Sequence, residues 1–117
     1  MAGVLIVEDN SDLREMYEEI LSFAGHEVRS VETAAEAIAA LDAQVPAVVL
    51  LDLGITGGAQ SIVDALRRGE PGRTALLLAS GAPDLAKQAH ALGAVGWLQK
   101  PFVPEKLTEA VAACLTR

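Results

Sequence analysis

The 117-residue chain is poor in several things at once. It holds a single cysteine, Cys114, and 3% aromatic residues, and its 9 Lys and Arg face 16 Asp and Glu for a formal net charge of −7. One thiol excludes an internal disulfide and fits a reducing compartment. With few aromatics in a chain that is 51% hydrophobic, the core must be built from Ala, Val, Leu and Ile. The acidic balance argues against direct nucleic-acid binding, which needs Lys and Arg clustered against phosphate. No apolar run approaches the ~20 residues that span a bilayer. Glu8-Asp9 also interrupt the start too early for a signal peptide. The expectation is a cytoplasmic protein with no membrane or nucleic-acid partner. Its length suits one domain over residues 1–117, large enough for a core without disulfides or a structural metal.

What is present is a regular alternation. Val4-Leu5-Ile6-Val7 is a short apolar run that reads as a strand and stops at Glu8-Asp9. Asn10, Ser11 and Asp12 offer helix N-caps; Leu13, Met16, Tyr17, Ile20, Leu21 and Ala24 then recur at helical spacing until Gly25. Glu27 to Val31 reads as a second strand, and Thr33-Ala34-Ala35-Glu36 as a capping box opening a helix to about Ala43. Val48 to Leu51 is a third strand, buried on both faces by its composition, and it ends at Asp52. After the Gly54–Gly58 loop, Ile62, Val63, Ala65 and Leu66 mark a third helix, ended by Arg67-Arg68-Gly69. The spacing predicts a fourth strand over Thr74–Ala79, a fourth helix over Pro83–Leu92, and a fifth strand over Gly96–Gln99 leading to Lys100-Pro101. Pro104 opens a last helix to about Leu115, with Leu107, Val111, Cys114 and Leu115 on one face, so Cys114 is expected as a packed thiol. Five strand–helix alternations with short connections imply a parallel sheet covered by helices on both faces, with right-handed crossovers. No linker, repeat or low-complexity segment interrupts the pattern.

In such a sheet all strand C-termini lie on one edge. Glu8-Asp9, Asp52, Ser80 and Lys100 each fall at a predicted strand end, so four separate stretches deliver three carboxylates, a hydroxyl and an amine to that edge. Taken alone, Asp52 suits a metal ligand, a nucleophile or a helix cap. Taken together, crowded carboxylates repel unless a divalent cation is bound, and an all-oxygen set suits Mg²⁺ or Mn²⁺ rather than zinc. A carboxylate beside such an ion can attack a phosphoryl group, with an ammonium and a hydroxyl to meet the phosphoryl oxygens. His26 and His90 lie away from this edge and read as surface or capping residues.

Val7-Glu8-Asp9-Asn10, Leu50-Leu51-Asp52, Ala79-Ser80-Gly81 and Lys100-Pro101-Phe102, in this order, resemble the receiver domain of two-component response regulators over essentially the whole chain. The resemblance implies a flavodoxin-like, doubly wound five-stranded parallel sheet of order 2-1-3-4-5 with five helices. It implies that Asp52 accepts a phosphoryl group from a phosphohistidine of a sensor histidine kinase or phosphotransfer protein. Asp9, Asp52 and the backbone carbonyl of Gly54 would hold Mg²⁺, with Glu8 acting through water. Lys100 would pair with Asp52 and then with the phosphoryl group, and the Lys100-Pro101 bond is a candidate cis bond. Ser80 would turn toward the phosphoryl oxygens and draw Trp97 inward; a strand aromatic packed on the last helix is the plainer account of Trp97. Three departures stand out. The acidic pair is Glu-Asp rather than Asp-Asp. The loop after Asp52 reads Gly54-Ile55-Thr56-Gly57-Gly58, lacks the usual Met-Pro, and is about one residue short. Small Gly54 and Ala82 flank the site.

The function implied is a phosphorylation-operated signalling switch and not an enzyme. Its output would pass through the helix 4–strand 5–helix 5 surface to a downstream protein partner, to a second copy as a homodimer, or by phosphoryl passage to another histidine. A phosphorylation-independent interaction module is the alternative, weakened by the presence of Asp9, Asp52, Ser80 and Lys100 together. An aspartate-nucleophile phosphatase would need a second acid two residues after Asp52, where Gly54 stands, and flavin binding would need a phosphate-cradling loop after strand one.

Overall fold

A computed structural model describes residues 3–55, 57–69 and 72–116. Thr56 of the glycine-rich loop and the two extremities of the 1–117 span lie outside the described residues. Five strands, β1 (Gly3–Val7), β2 (Glu27–Val31), β3 (Val48–Asp52), β4 (Ala75–Ser80) and β5 (Gly96–Gln99), alternate with five helices. The helices are α1 (Ser11–Phe23), α2 (Ala34–Ala43), α3 (Ala59–Arg68), α4 (Leu85–Leu92) and α5 (Pro104–Leu115). All strand pairs are parallel, in the order β2-β1-β3-β4-β5. The doubly wound sheet is the flavodoxin-like fold.

The period-two geometry of a strand splits each apolar run between two faces. Val4, Ile6, Val48, Leu50, Ala75, Leu77, Ala79 and Leu98 face one way and meet Tyr17 and Leu21 of α1 and Leu107, Val111 and Cys114 of α5. Leu5, Val7, Val49, Leu51, Leu76 and Leu78 face the other way and meet Ala34, Ala37, Ile62, Val63, Leu85 and Ala89 of α2, α3 and α4. This explains why β1, β3 and β4 are continuously apolar: neither face meets water. Burying a Leu such as Leu50 or Leu51 stabilises by about 1.5–3 kcal/mol, so most of the driving force lies in these two layers.

The local signals act as their chemistry requires. The Asn10 side chain accepts from the Leu13 amide and starts α1, and Thr33 with Glu36 forms the full capping box of α2. Gly25 (φ 97°) ends α1 with His26 donating back to the Leu21 carbonyl. Two boundaries move from their sequence expectation. β4 runs Ala75–Ser80, one residue later, its pairing with β3 starting at Ala75 opposite Val48, while the Thr74 hydroxyl donates to the Pro46 carbonyl at 2.7 Å just ahead of the strand. α4 begins at Leu85, because Pro83-Asp84 form a turn in which Asp84 gives no capping bond. Among the described residues no helix is long and apolar enough to cross a membrane.

Candidate functional site

The register of the central strands builds the site. Val7 is level with Leu51 across β1 and β3, so Glu8-Asp9 and Asp52 leave the sheet side by side; Asp52 is level with Ala79, and Ser80 with Gln99. The chain beyond each end is held. The Glu8 amide donates to Val31 O, Leu53 N to Ala79 O and Lys100 N to Ser80 O. Arg14 of α1 donates to the Glu8 carbonyl at 3.0 Å while pairing with Glu32 at 3.1 Å, which fixes the turn that presents Asp9.

Glu8, Asp9 and Asp52 bring carboxylate oxygens within 4.8 Å of one another. They differ sharply in exposure: Glu8 is 1% exposed, Asp52 is intermediate, and Asp9 is open to solvent. Lys100 reaches over both inner acids, with Nζ 3.0 Å from Glu8 Oε1 and 3.3 Å from Asp52 Oδ2. The other Glu8 oxygen accepts from the Asn10 amide at 3.2 Å, and the other Asp52 oxygen accepts from the Gly54 amide at 3.1 Å. The Lys100-Pro101 bond is cis. Phe102 stacks on buried Tyr17, with ring centroids 5.6 Å apart.

These surroundings separate the two carboxyls. Burial, helped by a hydrogen bond to Asp52, pushes Glu8 up to about 7 against the opposing pull of Lys100 and the Asn10 amide. Burial also acts to raise Asp52, but the hydrogen bond with Glu8, the Gly54 amide and the Lys100 charge outweigh it and hold Asp52 below its ordinary value. Lys100 is pushed down by burial and, more strongly, up by Glu8 and Asp52, so it stays an ammonium. At neutral pH the site thus offers an ionised aspartate beside a fixed positive charge. The pair splits as adjacent carboxyls do, one retaining a proton longer than the other.

The residues singled out in the sequence are brought to one edge, with one distinction. Ser80 ends β4 as expected, and its hydroxyl accepts from the Ala82 amide at 3.0 Å, turned back along its own loop. Trp97 is 48% exposed; the strand neighbour that packs against α5 is Leu98, which faces the opposite way. The packed-on-α5 account of Trp97 therefore belongs to Leu98, because side chains alternate along β5. Two features had no sequence signal. Lys100 pairs with Glu8 as well as Asp52, across a separation of 92 residues. Buried Ile55 anchors the glycine-rich loop into the α2–α3–α4 layer. Tyr17, beneath the site, was legible only as a core position of α1.

Oxygen donors in this number, on a solvent-facing edge, fit a hard divalent cation of the Mg²⁺ class. An open α/β sheet with such a site at its carboxyl edge defines a class, the doubly wound phosphate- and ion-binding domains. Within that class, residues 4–112 match the response regulator receiver domain, and the chain belongs to that family. It is 34% identical to the response regulator protein FleR of Pseudomonas aeruginosa, over 95% of this chain and 24% of that protein. It is 28% identical to the chemotaxis protein CheY of Thermotoga maritima, over 92% of each. The receiver domain of NtrX from Brucella abortus superposes with a TM-score of 0.88 at 29% identity, covering 97% of this chain and 98% of that one. The chain spans about a quarter of FleR and about half (52%) of the phosphate regulon regulator PhoB of Pseudomonas aeruginosa.

Proposed function

We propose that Asp52 is the phosphoacceptor of a switch loaded from a phosphohistidine with Mg²⁺ assistance. One observation carries the reading: Asp52 has one oxygen held by the Gly54 amide and the other facing the Lys100 ammonium, with Glu8 and Asp9 alongside. The ionised state of Asp52 supports its use as a nucleophile. A carboxylate oxygen attacks phosphorus, the P–N bond to the donor imidazole breaks, and its electron pair returns to the ring nitrogen. Lys100 neutralises part of the charge on the phosphoryl oxygens. The Ser80 hydroxyl, rotating from the Ala82 amide, donates a hydrogen bond to one of them.

Asp9, Asp52 and the Gly54 carbonyl would hold the cation, which supplies charge stabilisation to the phosphoryl oxygens. Both oxygens of Glu8 are already engaged by Lys100 and Asn10, which supports an indirect role for it, through water. A bound phosphoryl group that recruits Ser80 and Lys100 would bias a pre-existing equilibrium, read at the α4–β5–α5 surface where Val95 and Trp97 are exposed. A downstream protein or a second copy of the chain would meet that surface.

The test is labelling by a small phosphodonor such as acetyl phosphate with Mg²⁺. The protein is expected to form an acid-stable, alkali-labile adduct that Asp52→Asn does not form. Undiminished labelling of the variant would overturn the assignment by placing the phosphoacceptor at another residue, whereas no labelling of the unaltered protein would leave a phosphorylation-independent interaction module as the better reading.

A further inference from the structure

The last residue of β5 has no part in the phosphoacceptor chemistry, yet it reaches the same loop. Gln99 is level with Ser80 in the sheet, and pairing between β4 and β5 ends with Lys100 N donating to Ser80 O at 2.8 Å. Beyond that point Gly81 to Asp84 belong to no strand or helix, and α4 begins without a side-chain cap. Two contacts hold the first part of this loop. The Ala82 amide donates to Ser80 Oγ at 3.0 Å. Gln99 Nε2 donates to Ala82 O at 3.1 Å and, at 3.4 Å, to Ser80 O. Both partners are carbonyls, which only accept, so the carboxamide has one sensible orientation. Ala82 is thus gripped twice: its amide holds the Ser80 hydroxyl, and its carbonyl is held from β5.

We propose that Gln99 is a latch. Its carboxamide keeps the β4–α4 loop, and through Ala82 the Ser80 hydroxyl, in the arrangement in which that hydroxyl is engaged by the Ala82 amide, and it releases when Ser80 turns to a phosphoryl group. This rests on the phosphoacceptor reading of Asp52. Gln99 touches neither the acids nor the phosphoryl group, so it is a positioning residue. A bond present in only one of two states biases the equilibrium by its own worth. For an exposed neutral hydrogen bond that is about two- to fivefold.

Gln99→Met keeps the length and removes the donor; Gln99→Glu keeps the shape and turns donor into acceptor. In both variants the Ala82 amide is expected to exchange its hydrogen faster by NMR. Beryllofluoride with Mg²⁺, a mimic of the phosphoryl group, is expected to bind about two- to fivefold tighter, with Mg²⁺ affinity in its absence unchanged. Unchanged Ala82 exchange in both variants overturns the latch. Faster exchange with equal or weaker beryllofluoride binding also overturns it, leaving Gln99 a structural brace. Failure of the unaltered protein to bind beryllofluoride would instead be the failure of the phosphoacceptor reading, and the exchange comparison would then decide alone whether Gln99 holds the loop.

Discussion

Replacing Glu8 by Gln removes a strongly displaced ionisation at the heart of the site. In the unfolded chain that carboxyl ionises near 4.5, whereas burial and the bond to Asp52 hold its proton until about 7 in the fold. Its contribution to stability is therefore fully present below pH 4.5 and lost as pH rises through about 7. At 1.36 kcal/mol per pH unit the interval corresponds to about 3 kcal/mol. The hydrogen bond to Asp52 makes the step a property of the pair, which leaves about 1–3 kcal/mol to be seen. Asp52 itself runs in the opposite sense: its carboxyl is held below 3.8, so what it adds is present above 3.8 and lost only on acidification below it. Between pH 5 and 8 its contribution is flat. Urea unfolding across that range, with chelator present, is expected to show the unaltered protein losing about 1–3 kcal/mol relative to Glu8→Gln. Saturating Mg²⁺ is expected to abolish the loss, since a cation beside the acids favours their ionised forms. Equal pH slopes for the two proteins in chelator would refute the buried, proton-retaining Glu8.

Three further perturbations probe the neighbours of Asp52. Lys100→Met removes the cation that spans Glu8 and Asp52; Mg²⁺, titrated by calorimetry, is expected to bind about tenfold tighter, the worth of a charge-assisted bond no longer competing, while labelling by acetyl phosphate falls. Gly57→Ala places a Cβ 2.9 Å from that of Ala34 at φ +96°, whereas Gly58→Ala at φ +84° meets open space. Denaturant midpoints should therefore show Gly58→Ala costing about 1–2 kcal/mol from backbone strain and Gly57→Ala more; equal losses would dismiss the Ala34 contact. A Cβ at Gly54 meets Asp52 Oδ1 at 3.7 Å, an ordinary contact, so the backbone there admits a side chain. Gln or Arg at Gly54 together with Glu or Lys at Ala82 is expected to change the lifetime of the phosphoryl group by screening or guiding water, and an unchanged lifetime counts against the small residues as a design for access.

The fold was legible because its signals are local. Unbroken apolar runs mark two-sided strands, and the Thr33–Glu36 box and Gly25 mark helix ends with chemistry that needs no tertiary context. The edge of the site was legible for a topological reason: in a parallel sheet, strand ends coincide, so Asp9, Asp52, Ser80 and Lys100 could be placed together from order alone. What the order could not supply was depth. Glu8 and Asp9 are adjacent and chemically alike, yet one is buried under Lys100 and the other faces solvent, a difference made by a single turn anchored by Arg14. Gln99 carried no motif, because its role lies in a carbonyl of a loop far away in sequence. The glycine-rich loop looked merely short and pliant; in the fold Ile55 is buried and Gly57 packs on Ala34, so part of that loop belongs to the core.

The strand order has a consequence for how the molecule comes into being. β1 is made first and sits between β2 and β3, after which β4 joins β3 and β5 joins β4. A chain emerging from its N-terminus therefore adds every strand to an edge that already exists, and never has to slide one between two others. Glu8, Asp9 and Asp52 are gathered once the third strand is in place. Their counter-charge, Lys100, arrives only with the fifth. Until then the half-built domain carries an unneutralised acidic nest, and its completion is an electrostatic event as much as a hydrophobic one.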